Sequence, residues 1–287
     1  MSVVARMDDA TRAQGIDLLV RAFAEDLGPE NLDLTAPAVR GTHMRAVLVA
    51  RQDGVTCGLE LAVEAFRMRG VQDIRQLVED AHAVTAGTEL IAVEGDAAAV
   101  LSAERTALNV VQRLAAVATL TRRFVDAVEG SDARILDTRK TQPGLRLLQR
   151  YAVRCGGGDN HRFGLYDEAM LKDNHIAASG SIADAVARVR EARPGIRIHV
   201  EADTIDQAAA AVDAGADVVL LDNMTNDELR EAVALVGDRA LTEASGGVTL
   251  ETVAGIARTG VDRISIGALT HSAPAFDAAL DAVVEPA

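Results

Sequence analysis

Short apolar runs recur through the second half of the chain, and a segment with helical periodicity follows most of them. The runs are ARIL (133–136), AMLK (169–172), IRIHVE (196–201), DVVLLD (217–222), RALTE (239–243) and DRISIG (262–267). The last four begin roughly 20 to 25 residues apart, about the length of one βα unit. Several are nearly continuous, as in parallel strands that are buried on both faces.

Repeated βα units with right-handed crossovers predict an α/β fold, an open (β/α) barrel similar to a TIM barrel. A doubly wound open sheet is the alternative. That alternative is disfavoured because no G-x-G-x-x-G motif opens any of the predicted helices.

The first third of the chain has a different pattern. Its predicted elements are a helix over 9–26, a strand over 44–50, a short strand over 55–57, a helix over 59–68 and strand-like pieces up to 93. A long helical pattern follows over about 97–128. We expect this part to form a smaller α+β unit with mostly antiparallel pairing.

The composition is that of a globular protein with an acidic exterior. The 287 residues are 49% hydrophobic and 25% charged, and the formal net charge is −14. This charge disfavours nucleic acid or an anionic membrane as a partner. We find neither an apolar run of the ~20 residues that span a bilayer nor an apolar signal segment near the N-terminus. Cys57 and Cys155 form no CxxC pair, which favours a reducing compartment, so we predict a cytosolic location.

One stretch, residues 137–176, is basic within this acidic chain. It contains five arginines and the only two lysines of the protein, Lys140 and Lys172. Elsewhere the chain uses arginine for positive charge. A lysine retained in such a sequence indicates a site for a compact ammonium group rather than a planar guanidinium.

Polar or glycine residues follow every predicted strand of the second half. In chain order these residues are Asp137, Arg139 and Lys140; Lys172 to His175; Glu201 and Asp203; Asp222 and Asn223; Glu243 and Ser245 to Gly247; and Gly267 and Ala268. A single acid after a strand is more often a helix cap than a catalyst. Six strand ends meet at one face of a parallel barrel, however, and reactive groups are found there.

The last two strand ends predict a phosphate site. Ser245, Gly246 and Gly247 precede a predicted helix over about 249–258 and offer backbone N–H groups to an anion, and Gly267-Ala268 follows the final strand. Glu201 and Asp222 can accept ribose hydroxyls or hold Mg²⁺. The arginines 146, 150 and 154 recur at helical spacing, and we interpret them mainly as one solvated or partly buried helix face.

The motifs as a set resemble the quinolinate phosphoribosyltransferase family (nicotinate-nucleotide pyrophosphorylase, carboxylating). The matching stretches, in chain order, are AEDLG, RQDGVTCGLE, AERTALN, DTRKTQPGLR, RYAVRCGGGDNHR, LKDNHI, VLLDNM, EASGG and IGALTHSAPAFD. They cover nearly the whole chain in the family's order. A related molybdenum-linked subfamily is expected to share single motifs.

The resemblance implies an N-terminal α+β sandwich domain at 1–105, which packs with the tail at 271–287, and a barrel domain at 106–270. It also implies a homodimer, or a higher assembly of dimers, in which the N-terminal region of one subunit completes the partner's active site. The implied reaction joins quinolinate to 5-phosphoribosyl-1-diphosphate and yields nicotinate mononucleotide, diphosphate and CO₂ in NAD biosynthesis.

Residue roles follow from the same resemblance. Quinolinate is expected to bind Arg105, Arg139, His161, Arg162 and Lys172. Lys140 and Lys172 are expected to face the diphosphate, and Glu201 and Asp222 the ribose and a Mg²⁺ cofactor, which makes these four the expected catalytic residues. The 5-phosphate is expected at Ser245, Gly246, Gly247, Gly267 and Ala268.

The chain departs from the family pattern at three positions, none of which has an expected role. His199 stands where the family usually has the first acid of an E-V-E pattern, and Gln142 and Asp159 fall at variable positions. Two alternatives stay open: a paralogue that phosphoribosylates another pyridine carboxylate, and a non-catalytic protein that binds a phosphosugar on the same scaffold.

Overall fold

The computed structural model describes residues 6–282, which form two compact units. The first unit comprises the described residues 6–122, 142–157 and 272–282. The second comprises 123–141 and 158–271. The domain boundary predicted at 105/106 falls inside one continuous helix, Ala97–Ala127. Of the predicted tail, residues 283–287 lie outside the described part of the chain.

The first unit is built on an antiparallel four-stranded sheet with the order β12-β1-β5-β3. Its strands are β1 (His43–Ala50), β3 (Asp73–Gln76), β5 (Glu89–Asp96) and β12 (Ala278–Ala282). A separate two-stranded sheet pairs β2 (Gly54–Val55) with β4 (Ala83–Val84). Strand β12, near the end of the chain, is therefore an edge strand of the sheet that contains β1.

Four helices accompany these sheets: α1 (Asp9–Leu27), α2 (Leu59–Met68), α3 (Ala97–Ala127) and α4 (Arg146–Cys155), with a short 3₁₀ helix at Ala36–Val39. Local sequence explains where α1 begins, because the Asp8 carboxylate accepts a hydrogen bond from the Thr11 N–H. Its periodic apolar residues Leu19, Phe23 and Leu27 are buried. The helices predicted at 9–26, 59–68 and 97–128 are thus confirmed to within a residue at either end.

Asp80 is buried in the first unit beside the two cysteines. Its carboxylate accepts hydrogen bonds from the N–H groups of Gly58 and Leu59 and from the Tyr151 hydroxyl, which lies 2.9 Å away. Burial nevertheless raises the pKa of Asp80, because desolvation outweighs these hydrogen bonds. Cys57 and Cys155 are buried free thiols. This group joins the segment after β2 to α4 within one core.

The second unit contains six parallel strands: β6 (Arg134–Leu136), β7 (Ala169–Leu171), β8 (Ile198–Ala202), β9 (Val218–Asp222), β10 (Leu241–Ser245) and β11 (Arg263–Ser265). Its helices are α5 (Asp173–Ser179), α6 (Ile182–Ala192), α7 (Ile205–Asp213), α8 (Asn226–Val236), α9 (Val253–Ala257) and α10 (Ala268–His271), with a 3₁₀ turn at Gly237–Arg239. Ser181, Thr204 and Thr225 cap α6, α7 and α8 through side-chain oxygens.

Strand order distinguishes the two predicted architectures. The sheet runs β6-β11-β10-β9-β8-β7, so sequential strands are neighbours and the first strand lies beside the last. A doubly wound sheet would instead reverse direction at an internal switch point. Within the described residues β6 and β7 do not pair, so the barrel is open at that seam. The predicted α/β fold, an open barrel with a smaller α+β domain, is confirmed.

Alternation along the barrel strands separates two sets of side chains. Val200, Val219 and Leu221 belong to an apolar set that is 0% exposed. The opposite set mixes apolar residues with polar ones, among them His199, Glu201 and Glu243. The near-continuous apolar appearance of these strands thus conceals polar side chains on one face. No helix within residues 6–282 has the length and apolar content that a bilayer crossing requires.

Candidate active site

A cavity of about 250 Å³ lies in the second unit at the carboxyl ends of the barrel strands. Every strand from β6 to β11 contributes a lining residue, either from the strand itself or from the segment that follows it. The lining residues are Thr138, Arg139, Lys140, His161, Arg162, Met170, Lys172, Glu201, Leu220, Asp222, Ser245 and Ser265. Seven residues predicted for the substrates or the metal, together with Ser245 of the predicted phosphate site, therefore share one cavity.

Positive and negative side chains around this cavity come from different strand ends. Arg139 and Lys140 follow β6 and Lys172 follows β7, so these cations flank the open seam of the barrel. The carboxylates lie on the neighbouring strands β8 and β9, at Glu201 and Asp222. With Arg162, the cavity has four basic side chains against two carboxylates. Such an excess of positive charge favours an anionic ligand.

His161 is held from three sides. Asp137, which is 0% exposed, accepts the His161 backbone N–H at 2.7 Å and the Asn160 amide at 2.6 Å. The Nδ1 atom of His161 accepts a hydrogen bond from the Arg162 N–H at 2.6 Å. Its Nε2 atom lies 3.1 Å from Oε1 of buried Glu243. Because Nδ1 is an acceptor, the ring proton is on Nε2, which faces the Glu243 carboxylate.

Glu243 supplies a negative charge to this buried cluster. Burial by itself would raise the pKa of Glu243, but hydrogen bonding to His161 and Ser265 holds the pKa below its usual value. Glu243 therefore stays ionised beneath the cavity at neutral pH. Its negative charge offsets part of the positive charge that the cavity collects.

Arg162 is a partly desolvated guanidinium. Its Nη1 atom donates to the backbone carbonyl of Glu168 at 3.2 Å. Burial lowers the pKa of Arg162, and the positive charge of Arg139 lowers it further. Two arginines that face one cavity repel each other unless an anion is shared between them. Their planar groups suit a carboxylate, which they can grip in bidentate fashion.

The two cavity carboxylates already have partners of different kinds. The Lys172 ammonium contacts Oε2 of Glu201, and the Asn223 amide donates to Oδ2 of Asp222 at 2.7 Å. Each carboxylate keeps a second oxygen beyond these contacts. Hard oxygen ligands on adjacent strand ends fit Mg²⁺, which takes one or two carboxylates and completes its coordination with water and substrate phosphates.

The small-residue loops lie at the remaining strand ends. Ser245 ends β10 and lines the cavity, whereas Gly246 and Gly247 line an adjoining space of about 590 Å³. Gly267 follows β11 and packs against Lys140, because a Cβ added there would lie 2.9 Å from Lys140 Cδ. Ala268 begins α10. The helix predicted at 249–258 is shorter than expected, since only Val253–Ala257 is helical, so it offers little helix dipole.

The arginines of the first unit that the sequence singled out lie on two helices, α3 and α4. Arg105 lies on α3 with an exposed side chain. Arg146, Arg150 and Arg154 lie on α4, where the first two are half-buried. Arg154 lies over the Tyr151 ring, 5.9 Å from its centroid. These positions fit the interpretation of the row as a helix face.

Four lining residues were not predicted from the sequence, namely Thr138, Met170, Leu220 and Ser265. Alternation would have found two of them, because Met170 and Leu220 precede Lys172 and Asp222 by two positions and so face the same side of their strands. The role of Asp137 as a buried acceptor for His161 was missed as well. Only the tertiary structure brings Asp137 beside the loop that contains His161.

Comparisons with known proteins identify the family to which the chain is similar. Family models described as the N-terminal and C-terminal domains of quinolinate phosphoribosyl transferase match residues 33–115 and 117–281. A probable nicotinate-nucleotide pyrophosphorylase [carboxylating] of Bacillus subtilis is 44% identical over 92% of both chains. The enzyme of that name from Mycobacterium leprae is also 44% identical, over 92% of this chain and 96% of that protein. The structure of the nicotinate-nucleotide pyrophosphorylase from Francisella tularensis superposes with a TM-score of 0.91 at 36% identity and covers 94% of this chain and 96% of that one.

Gly246→Ala tests how tightly the strand end at β10 is built. Gly246 has φ +92°, and a Cβ there would overlap the Asn223 side chain. Gly237→Ala is the matched control, because φ is +54° and no atom lies within 4 Å of the added Cβ. We expect the control to lose about 1 kcal/mol of unfolding free energy in urea, from the left-handed backbone alone. Gly246→Ala should lose a further ~1–3 kcal/mol from the overlap. Equal losses would contradict the close packing of this strand end.

Proposed function

The chain belongs to the quinolinate phosphoribosyl transferase family, and we propose from this premise that the barrel cavity is its active site. It is a phosphoribosyltransferase of NAD biosynthesis that converts quinolinate and 5-phosphoribosyl-1-diphosphate into nicotinate mononucleotide, diphosphate and CO₂. The observation that supports the site best is the convergence of both lysines, two arginines and two carboxylates on one cavity.

We assign the pyridine dicarboxylate to the open seam between β6 and β7. Arg139, Arg162 and Lys172 provide two planar forks and one ammonium group there, and His161 lines the same side. A dianion among these groups relieves the repulsion between the two guanidinium groups. Binding there would fix the plane of the pyridine ring and aim its nitrogen at the ribose.

The ribose is assigned to the opposite side of the cavity, at Glu201 and Asp222. Their carboxylates can accept the ribose hydroxyls. The pyridine nitrogen attacks C1 of the ribose as the bond to the diphosphate breaks, and positive charge develops on the ring carbon and oxygen. Two nearby carboxylates stabilise this oxocarbenium-like state.

Lys140 and Lys172 are assigned to the leaving diphosphate. Lys140 follows β6 beside Gly267, so its ammonium group is near the small-residue loops proposed for the 5-phosphate, Ser245 to Gly247 and Gly267-Ala268. Lys172 reaches the cavity from β7 and already contacts Glu201. Placed on both sides, the two ammonium groups can neutralise charge as the diphosphate departs.

We propose Mg²⁺ as the cofactor, held by the free oxygens of Glu201 and Asp222, directly or through water. When bound, it supplies positive charge to the phosphate oxygens of the substrate. The support for it is the chemistry of the two carboxylates on adjacent strand ends.

The decarboxylation that follows needs little help from acid–base groups. After the pyridine nitrogen has become cationic, the bond from C2 to its carboxylate breaks, CO₂ leaves and the electron pair stays on C2. The adjacent cationic nitrogen stabilises this pair until it takes up a proton. The residues of the cavity hold the remaining carboxylate in place and limit the access of water.

We also propose a homodimer in which Arg105 of one subunit binds the quinolinate of its partner. The exposure of Arg105 on α3 supports this role. The cytosolic location stays a prediction from the sequence.

Turnover of quinolinate tests the proposed activity directly. The purified protein should release CO₂ and diphosphate from quinolinate and phosphoribosyl diphosphate in the presence of Mg²⁺, and EDTA should abolish the release. Carboxyl-labelled quinolinate and a coupled diphosphate assay measure both products. Turnover on a different pyridine carboxylate instead would identify a paralogue. Binding of the phosphosugar without turnover of any acid would identify a non-catalytic protein.

Two substitutions test how the site is divided between the substrates. Lys140→Ala should lower kcat by ~10²–10³, because it removes a charge that stabilises the leaving group. Arg139→Ala should mainly raise the KM for quinolinate, by about tenfold to a hundredfold, since it removes a bidentate partner of a carboxylate. Steady-state kinetics with each substrate varied separates the two effects. Near-normal constants in both variants would refute the assignment.

Subunit mixing tests the shared site. Arg105→Ala and Lys140→Ala subunits, each inactive alone, should recover about a quarter of wild-type activity when they are mixed at random, because half of the dimers then contain one intact site. Co-expression with two affinity tags allows the mixed dimer to be purified and assayed. If the mixed dimer stays inactive, Arg105 does not act on the partner's site.

A further inference from the structure

His199 occupies an unusual place for a histidine. It lies on β8, two positions before Glu201, and its side chain is 0% exposed. The family pattern expects an acid at this position. The reaction itself gives His199 no task, since it does not line the substrate cavity among the described residues.

A hydrogen bond to Glu168 connects His199 to the residues around the cavity. Its Nε2 atom lies 2.8 Å from Oε2 of Glu168, and a carboxylate at neutral pH can only accept, so the imidazole donates. Oε1 of Glu168 accepts from Arg197 at 3.2 Å. Both carboxylate oxygens are thereby fixed.

Glu168 in turn holds Arg162. Its backbone carbonyl accepts the Arg162 Nη1–H at 3.2 Å, and Glu168 immediately precedes β7. The residue that orients the guanidinium is thus anchored through its own side chain to a buried group on the next strand, β8. The ring of His199 also lies against that of His161, with centroids 5.0 Å apart.

A buried metal is the competing explanation, because ligand atoms of His161, His199 and Glu243 lie within 4.8 Å of one another. The hydrogen bonding disfavours it. Nδ1 of His161 accepts the Arg162 N–H, so Nε2 is protonated and has no lone pair for a metal. Coordination would require breaking the contact that links His161 to Arg162.

We infer that His199 is a positioning residue for quinolinate: through Glu168 it fixes the Arg162 guanidinium, and by ring contact it supports His161. The inference rests on the proposed function, because it assigns the effect to the quinolinate side of the site alone. It explains how a buried histidine replaces the acid that the family resemblance implies, since Glu168, just before the neighbouring strand β7, supplies a carboxylate.

Orientation matters here because Arg162 faces another cation. Arg139 and Arg162 repel each other across the cavity, and a long side chain has many rotamers that would relieve the repulsion. A fixed acceptor behind Arg162 limits these rotamers before the substrate arrives, and such preorganisation lowers the entropy that binding costs. Loss of the anchor should weaken quinolinate and leave the phosphoribosyl diphosphate unaffected.

The test compares His199→Leu, which keeps a similar volume without an N–H, with His199→Gln, which keeps an N–H donor for Glu168. Val200→Ala is the control, because Val200 is equally buried on β8 but belongs to the opposite set of side chains. For each variant we would measure kcat, the KM of each substrate, the quinolinate Kd by calorimetry and the Tm.

We expect His199→Leu to raise the KM and Kd for quinolinate by about tenfold, the value of one hydrogen bond to a charged group. Its kcat and its KM for phosphoribosyl diphosphate should change by less than about threefold. His199→Gln should recover most of the quinolinate affinity. Val200→Ala should lower Tm without weakening quinolinate. The double variant His199→Leu/Glu168→Leu should bind quinolinate no more weakly than the weaker-binding of the two single variants, since both residues act in one chain of contacts.

Three results would overturn the inference: unchanged quinolinate affinity in His199→Leu, equal losses in His199→Leu and His199→Gln, or equal losses for both substrates. The outcome is separate from that of the proposed function. If the wild type binds quinolinate without turning it over, the activity fails while the ratio of Kd values still decides the role of His199. If the wild type does not bind quinolinate, both fail.

Discussion

Charge that is buried inside an open barrel is the constraint on which the rest of this structure depends. One set of strand side chains is apolar, but the opposite set includes His199 and Glu243, both 0% exposed, and buried His161 lies against them. Polar and ionised groups in such a place are stable only when partners and hydrogen bonds replace the lost water. Each of them has a close ionic neighbour within the unit, and Asp137 holds the His161 backbone.

The chain of contacts beneath the cavity decides where the cavity's charges lie. Arg162 is held by the carbonyl of Glu168, and His161 is held between Asp137 and Glu243. These residues come from three separate segments, which meet because the barrel brings its strands together in cyclic order. The cavity is therefore the upper layer of this polar interior: His161 lines it, whereas Asp137 and Glu243 lie beneath and are 0% exposed. Side chains held from beneath in this way are oriented before a ligand binds.

The open seam separates the two halves of the chemistry. Cations flank the gap between β6 and β7, the carboxylates follow the strands β8 and β9, and the small-residue loops follow β10 and β11. This order of cations, carboxylates and small-residue loops around one mouth is the basis of the proposed placement of the dicarboxylate, the ribose and the phosphate groups. The connection from β6 to β7 differs from the others in the barrel, since it passes through the first unit at residues 142–157. All other connections within the barrel stay in the second unit.

Sequence by itself determined the strands of the barrel, most helices, the α/β class and the strand-end residues, because periodicity and turn residues are local properties. The resemblance carried by the motifs determined the family. Only the tertiary structure decided that Gly246 faces a neighbouring space, that α9 is short, and that Asp137 and Glu243 hold His161. Such outcomes depend on contacts between segments far apart in the chain, and no local pattern encodes a distance of that kind. His199 shows the difference most clearly: in the sequence it is an exception to a motif, and in the structure it is the partner of Glu168.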